Sequence, residues 1–194
     1  MKDLKPFDAI IFDLDGTLSD TMPIHYKAFC VAFKKYNINN FSEELFYSLA
    51  GVPADKITER ILKENNVDKD SMLVADEKDS IFHELSNDIR PIKKTIDLAR
   101  KYSDQKKLAV ATGSIRWSAE ESLEKLEIKG LFQEVVCSDD ISNPKPDPEI
   151  FILAAKKLNV EPKHCIVIED SPLGIEGALK AGMQAIHIDE IPDS

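Results

Sequence analysis

The chain has 194 residues, 43% apolar and 31% charged, with 35 acidic against 25 basic side chains and a formal net charge of −10. At ~150 residues per domain that is one domain, or one with a modest insertion, and its apolar content suffices for a packed core. A pI near 4.9 argues against a general nucleic-acid binder, since phosphate backbones are held by Lys and Arg. Apolar runs such as Ala9-Ile10-Ile11-Phe12 fall far short of the ~20 residues a spanning helix needs, so no membrane role is expected. The start, Met1-Lys2-Asp3-Leu4-Lys5-Pro6, lacks the apolar stretch of a secretory signal, which makes a cytoplasmic address the expectation. Cys30, Cys137 and Cys165 are widely spaced, form no metal or redox pattern and read as small core residues.

In chain order, the first β-rich apolar run is residues 8–13. A long, mostly helical stretch follows. His25, Ala28, Phe29, Ala32, Phe33 and Tyr36 recur at helical spacing, and further helices are expected over 42–49, 54–64 and 71–87. Pro91 is expected to open a helix that returns to the sheet. Strands at 107–111, 134–138, 165–168 and 185–188 then alternate with helices at 115–127, 148–158 and 172–181. Asp147 is the expected N-cap of the second of these helices, with Pro148 at its first position; Ser171 precedes the third and Gly182 ends it. Trp117, Ala119 and Leu123 read as core, Arg116 as a residue at the entrance, and Lys93-Lys94 and Lys106-Lys107 as solvated surface.

Strands alternating with helices imply an α/β fold, a Rossmann-like parallel sheet covered on both faces. We expect a discontinuous α/β core from residues 1–18 and 89–194, with 19–88 inserted as a small helical cap placed to act as a lid.

Polar sets stand at or just past the strand ends: Asp13-Leu14-Asp15-Gly16-Thr17, Thr112-Gly113-Ser114, Asn143-Pro144-Lys145-Pro146-Asp147-Pro148 and Glu169-Asp170-Ser171. Any one of them alone reads more readily as a solvated turn or plain surface than as a site. Together they converge on the carboxyl edge where open parallel sheets bind ligands. Asp13, Asp15, Glu169 and Asp170 in one place repel each other, and a hard cation relieves that repulsion. Oxygen ligands without His or Cys favour Mg²⁺ over zinc. With Lys145, Thr112 and the N–H groups near Gly113, these are the parts for stabilising a transferring phosphoryl group, so net acidity does not exclude a small phosphorylated metabolite.

These motifs, in this order, resemble the haloacid dehalogenase-like hydrolase superfamily over nearly the whole chain, and within it the helical-cap, β-phosphoglucomutase-like branch with its sugar-phosphate phosphatases. The dehalogenases themselves lack the second Asp; a phosphate ester's leaving oxygen needs a proton and a halide does not. The resemblance implies Asp13 as nucleophile forming an aspartyl phosphate, and Asp15 as the acid and then the base. It implies Mg²⁺ held by Asp13, the Asp15 carbonyl and Asp170 with Glu169 beside it, and phosphoryl oxygens bound by Thr112 and Lys145. Gly16, Thr17, Gly113, Ser114, His25 and Lys78 are the implied substrate contacts. Pro144 departs from the family pattern, where a small residue is common. Asp20-Thr21-x-x-x-His25 resembles the hinge into the cap, but reads equally as a helix cap followed by a packed histidine. Lys78 reads more readily as a solvated helix charge.

The implied activity is a Mg²⁺-dependent phosphatase of sugar phosphates such as fructose 1-phosphate. The alternative is a β-phosphoglucomutase, which needs a cap cation for a second phosphate; aligning on Gly51-Val52 puts Ala54 at the mutase Arg position, with Lys56 or Arg60 as substitutes. A non-catalytic phosphoreceiver or binding protein is the distant alternative; Lys145 preceding Glu169-Asp170 is the wrong order for a receiver, and no P-loop motif occurs. The sequence favours neither a monomer nor a weak dimer.

Overall fold

The computed structural model describes residues 3–193; Met1, Lys2 and Ser194, which fall within the expected α/β core, lie outside them. Five parallel strands form one sheet: β1 (Ala9–Phe12), β2 (Lys107–Ala111), β3 (Glu134–Val136), β4 (Cys165–Glu169) and β5 (Gln184–His187), in the order β3-β2-β1-β4-β5. The apolar runs are continuous because both faces of the sheet are covered. Ile10, Phe12, Leu108, Val110, Ile166 and Ile168 point to a cluster closed by helices α5 (Lys93–Tyr102) and α6 (Arg116–Lys125). Their neighbours Ala9, Ile11, Ala109, Ala111, Cys165 and Val167 face α7 (Glu149–Leu158) and α8 (Pro172–Lys180). That alternation is the two-residue period of a strand.

Helices α1 (Met22–Lys34), α2 (Glu43–Ser48), α3 (Ala54–Glu64) and α4 (Ser71–Leu85) gather around a separate cluster that includes Phe29, Phe33, Phe41, Phe46, Ile57, Ile61 and Val74. The two chain segments joining this unit to the sheet run side by side. Ser19 bridges Pro91, and the Asp20 N–H donates to the Arg90 carbonyl at 2.9 Å.

Several expectations are corrected. Pro91 opens no helix: it is held extended in that bridge, and α5 starts at Lys93. Pro148 is the N-cap of α7, not its first residue, although the Asp147 carboxylate does accept the Glu149 N–H at 3.0 Å. Trp117 is no core residue but 45% exposed, packed edge-on to His83, while Ala119 and Leu123 are buried. Lys107 is exposed as expected and Lys106 partly buried, each with its ammonium donating to a main-chain carbonyl, of Leu158 and Phe7 respectively. Ser171 and Gly182 act as expected at the ends of α8: the Ser171 hydroxyl accepts the Gly174 N–H, and Gly182 takes a φ of 76°. No described helix is long and apolar enough to cross a membrane.

Candidate active site

Register places the chemistry. Phe12 stands opposite Val110 and Ile168, so Asp13 leaves the sheet level with the ends of β2 and β4. Asp13, Glu169 and Lys145 are all buried at this edge. Lys145 Nζ lies 2.7 Å from Asp13 Oδ1 and 2.7 Å from Glu169 Oε2. Burial opposes its charge, but the two carboxylates outweigh burial and hold the ammonium protonated. Glu169 is fixed from its other oxygen by the Ser171 hydroxyl (2.8 Å) and the Ser171 and Asp170 N–H groups (3.0 and 3.2 Å). A Cβ on Gly174 would lie 1.9 Å from Glu169 Oε2, so only glycine lets α8 start this close to the acid.

One ligand oxygen from each of Asp13, Glu169 and Asp170 lies within 4.8 Å of the others. Burial, then the charge of Glu169, raises Asp13 well above the usual carboxylate range and Asp170 to about 7, despite Lys145. A single lysine therefore does not neutralise the cluster. Three convergent carboxylates with no nitrogen or sulfur donor among them fit a hard divalent cation such as Mg²⁺. Gly16 and Thr17, expected to touch substrate, lie against Asp170. The Thr17 hydroxyl donates to Asp170 Oδ1 at 3.0 Å, and a Cβ on Gly16 (φ 90°) would sit 2.3 Å from Asp170 Oδ2.

Asp15 has its own set of donors, on both carboxylate oxygens. Its Oδ1 accepts from Thr21 Oγ1 (2.6 Å) and His25 Nε2 (3.1 Å), its Oδ2 from Ser114 Oγ (2.6 Å) and Thr112 Oγ1 (3.3 Å). Burial disfavours its charge; the contacts with His25, Ser114 and Thr21 override burial and keep its carboxyl below the usual range. His25 stacks on Phe82 at 4.0 Å, and Lys78 Nζ lies 2.9 Å from its Nδ1. An ammonium only donates, so Nδ1 accepts and Nε2 carries the hydrogen given to Asp15. Burial and the nearby Lys78 both lower the His25 pKa, which agrees with this neutral tautomer.

Both sequence readings of the hinge thus hold in part. His25 does pack on an aromatic ring, yet its free edge serves Asp15, and Thr21 spends its hydroxyl on Asp15 rather than on capping α1. Lys78 is no solvated charge: it is 3% exposed, ion-paired to Asp79 at 2.8 Å and set over the Phe29 and Phe82 rings. Arg116 is held by Asp140, Glu120 and the Val135 carbonyl, away from the lining of this pocket. The pocket itself is lined by Asp13, Asp15, His25, Lys78, Thr112, Gly113, Ser114, Glu169 and Asp170, roofed by Met22, Phe29, Phe46, Leu49 and Val52. The roof comes down on Gly113, where an added Cβ would lie 2.8 Å from the Gly51 carbonyl oxygen. Sequence reasoning missed Asp79, which occupies Lys78, and the bracing of Glu169 by Ser171, a residue it places in the fourth polar set and ahead of α8.

A sequence model of the haloacid dehalogenase-like hydrolases matches residues 10–188. The fructose-1-phosphate phosphatase YqaB of Escherichia coli is 32% identical over 94% of this chain and 96% of its own length. A phosphorylated carbohydrates phosphatase of Thermotoga maritima is 32% identical over 93% of this chain and 84% of its own. Among solved structures, a β-phosphoglucomutase from Clostridium difficile superposes with a TM-score of 0.82 at 32% identity, over 93% of this chain and 84% of that one.

Proposed function

The chain belongs to the haloacid dehalogenase-like hydrolase family, and from that premise we propose that it is a Mg²⁺-dependent phosphatase of small sugar phosphates, fructose 1-phosphate among them. Residues 1–18 and 89–194 form the catalytic body in this reading, and 19–88 the cap. The observation that carries it is Lys145 held 2.7 Å from both Asp13 and Glu169 beside a separately supported Asp15.

Asp13 attacks phosphorus as the bond to the sugar oxygen breaks, and that oxygen takes a proton from Asp15. Water then attacks the aspartyl phosphate, gives its proton to Asp15, and the Asp13–phosphorus bond breaks to release inorganic phosphate. The donors around Asp15 favour its proton-accepting form, which the second step needs. Mg²⁺ would be held by Asp13, Asp170, Glu169 and the Asp15 carbonyl, where it would neutralise the charge of the transferring group. Lys145 favours the ionised form of Asp13 against the burial and the Glu169 charge that oppose it, and Thr112, beside Asp15, would meet the phosphoryl oxygens.

Hydrolysis is favoured over mutation of the phosphate position because the cap cation in the pocket, Lys78, is already engaged by Asp79 and His25. A mutase must clamp a second phosphate, most readily with an uncommitted Arg fork. The test supplies β-glucose 1-phosphate and fructose 1-phosphate with Mg²⁺ and catalytic glucose 1,6-bisphosphate, following free phosphate and glucose 6-phosphate together. Phosphate release should dominate with both substrates. Glucose 6-phosphate formation greatly outrunning phosphate release would make the protein a mutase.

A further inference from the structure

Asp170 lies one residue beyond the last paired position of the sheet, where Glu169 stands opposite His187. Its carboxylate hangs from a turn, so its direction depends on the course of the main chain there. Glu169 pins one side of that turn by accepting the Asp170 and Ser171 N–H groups. The other side is met by a ring from β5: His187 Nε2 is 2.8 Å from the Asp170 carbonyl oxygen. His187 Nδ1 is 3.2 Å from the Asp189 main-chain nitrogen and accepts its hydrogen, so the ring hydrogen lies on Nε2 and is donated to Asp170. The side chain is 39% exposed, so core packing does not account for it.

We propose that His187 is a positioning residue for the metal site, fixing the Asp170 turn so that its carboxylate converges with Asp13 and Glu169. It touches neither substrate nor metal and acts through the main chain. The inference rests on the reading of those three acids as a Mg²⁺ site. Outer hydrogen bonds to metal ligands are worth ~10–100-fold in metal affinity or activity, and one made to the carbonyl of a ligand-bearing residue belongs at the lower end.

The experiment titrates Mg²⁺ by calorimetry into substrate-free protein, as wild type, His187→Ala and His187→Gln. Wild type binds, His187→Ala binds about tenfold more weakly, and His187→Gln, which keeps an N–H donor, recovers most of the loss. If circular dichroism shows the alanine variant unfolded, His187→Leu, which keeps the bulk without the donor, replaces it. Equal affinity in wild type and the donorless variant overturns the role of His187 while leaving the metal site standing; so does an equal loss in His187→Gln. No binding by wild type overturns the metal reading and this inference with it.

Discussion

A lysine as buried as Lys145 is tolerated because it is answered twice, by Asp13 and by Glu169. Removing one member of a buried ionic group leaves the others uncompensated, at ~3–5 kcal/mol. Lys145→Ala is therefore expected to lose about 3 kcal/mol in urea unfolding without metal, and to regain part of it when Mg²⁺ is added. Unchanged stability would show that the acids are not ionised against Lys145. Asp15 makes a different prediction. As acid for the leaving oxygen it contributes ~10²–10⁴-fold for a sugar alkoxide and much less for an activated aryl phosphate, which leaves with little need of a proton. Asp15→Ala should lose more rate on fructose 1-phosphate than on an aryl phosphate in single-turnover phosphorylation; equal losses would remove its acid role. Asp13, Asp15, Glu169 and Asp170 were legible in the sequence because each stands at or just past the end of an apolar strand, and Lys145 because it lies in the Pro-rich polar run between β3 and α7. Lys78 was legible only through the family resemblance, since helical spacing says which face a residue occupies but not what covers it. Here α1 covers it with Phe29, and Asp79 supplies a charge partner from the next position on α4.

Helix α4 reaches across to α6 near the second crossing between the helical unit and the sheet. Glu121 Oε1 accepts from His83 at 2.7 Å and Lys125 at 2.9 Å, and Lys125 also donates to the Ser86 hydroxyl at 2.6 Å. Together with the Gly51 loop seated on Gly113, these contacts hold the roof against the body. A roof that closes over a site excludes water while chemistry proceeds. Glu121→Gln weakens the tie by ~1 kcal/mol, so KM should rise roughly fivefold with kcat nearly unchanged. A fall in kcat at constant KM would show that the cluster serves something other than closure. The strands were readable because burial on both faces leaves continuous apolar runs, whereas Pro91 misled because proline suits an extended bridge as well as a first helical turn. Trp117 misled for a related reason: hydrophobicity was read as burial, but α6 turns this ring outward against His83.

The hydrophobic clusters on the two faces of the sheet and the one among α1–α4 leave between them a polar seam that holds the chemistry. Phe33 is fully buried in the helical cluster, outside the lining of the pocket, and Phe33→Ala should cost ~3–5 kcal/mol. Because that cluster carries His25 and the roof, the same variant should lose activity at temperatures where circular dichroism still reports an intact sheet; loss of both signals in one step would mean the two units unfold together. The seam gives the account its decisive consequence, that the phosphoryl group passes through Asp13. The direct measurement mixes the Asp15→Ala variant, in which water attack lacks its base, with an aryl phosphate and Mg²⁺, quenches in acid and maps the phosphoryl group by mass spectrometry. It should sit on Asp13, and Asp13→Asn should neither carry it nor release phosphate. Phosphate released with no phosphoryl group on Asp13, or turnover retained by folded Asp13→Asn, would contradict the mechanism.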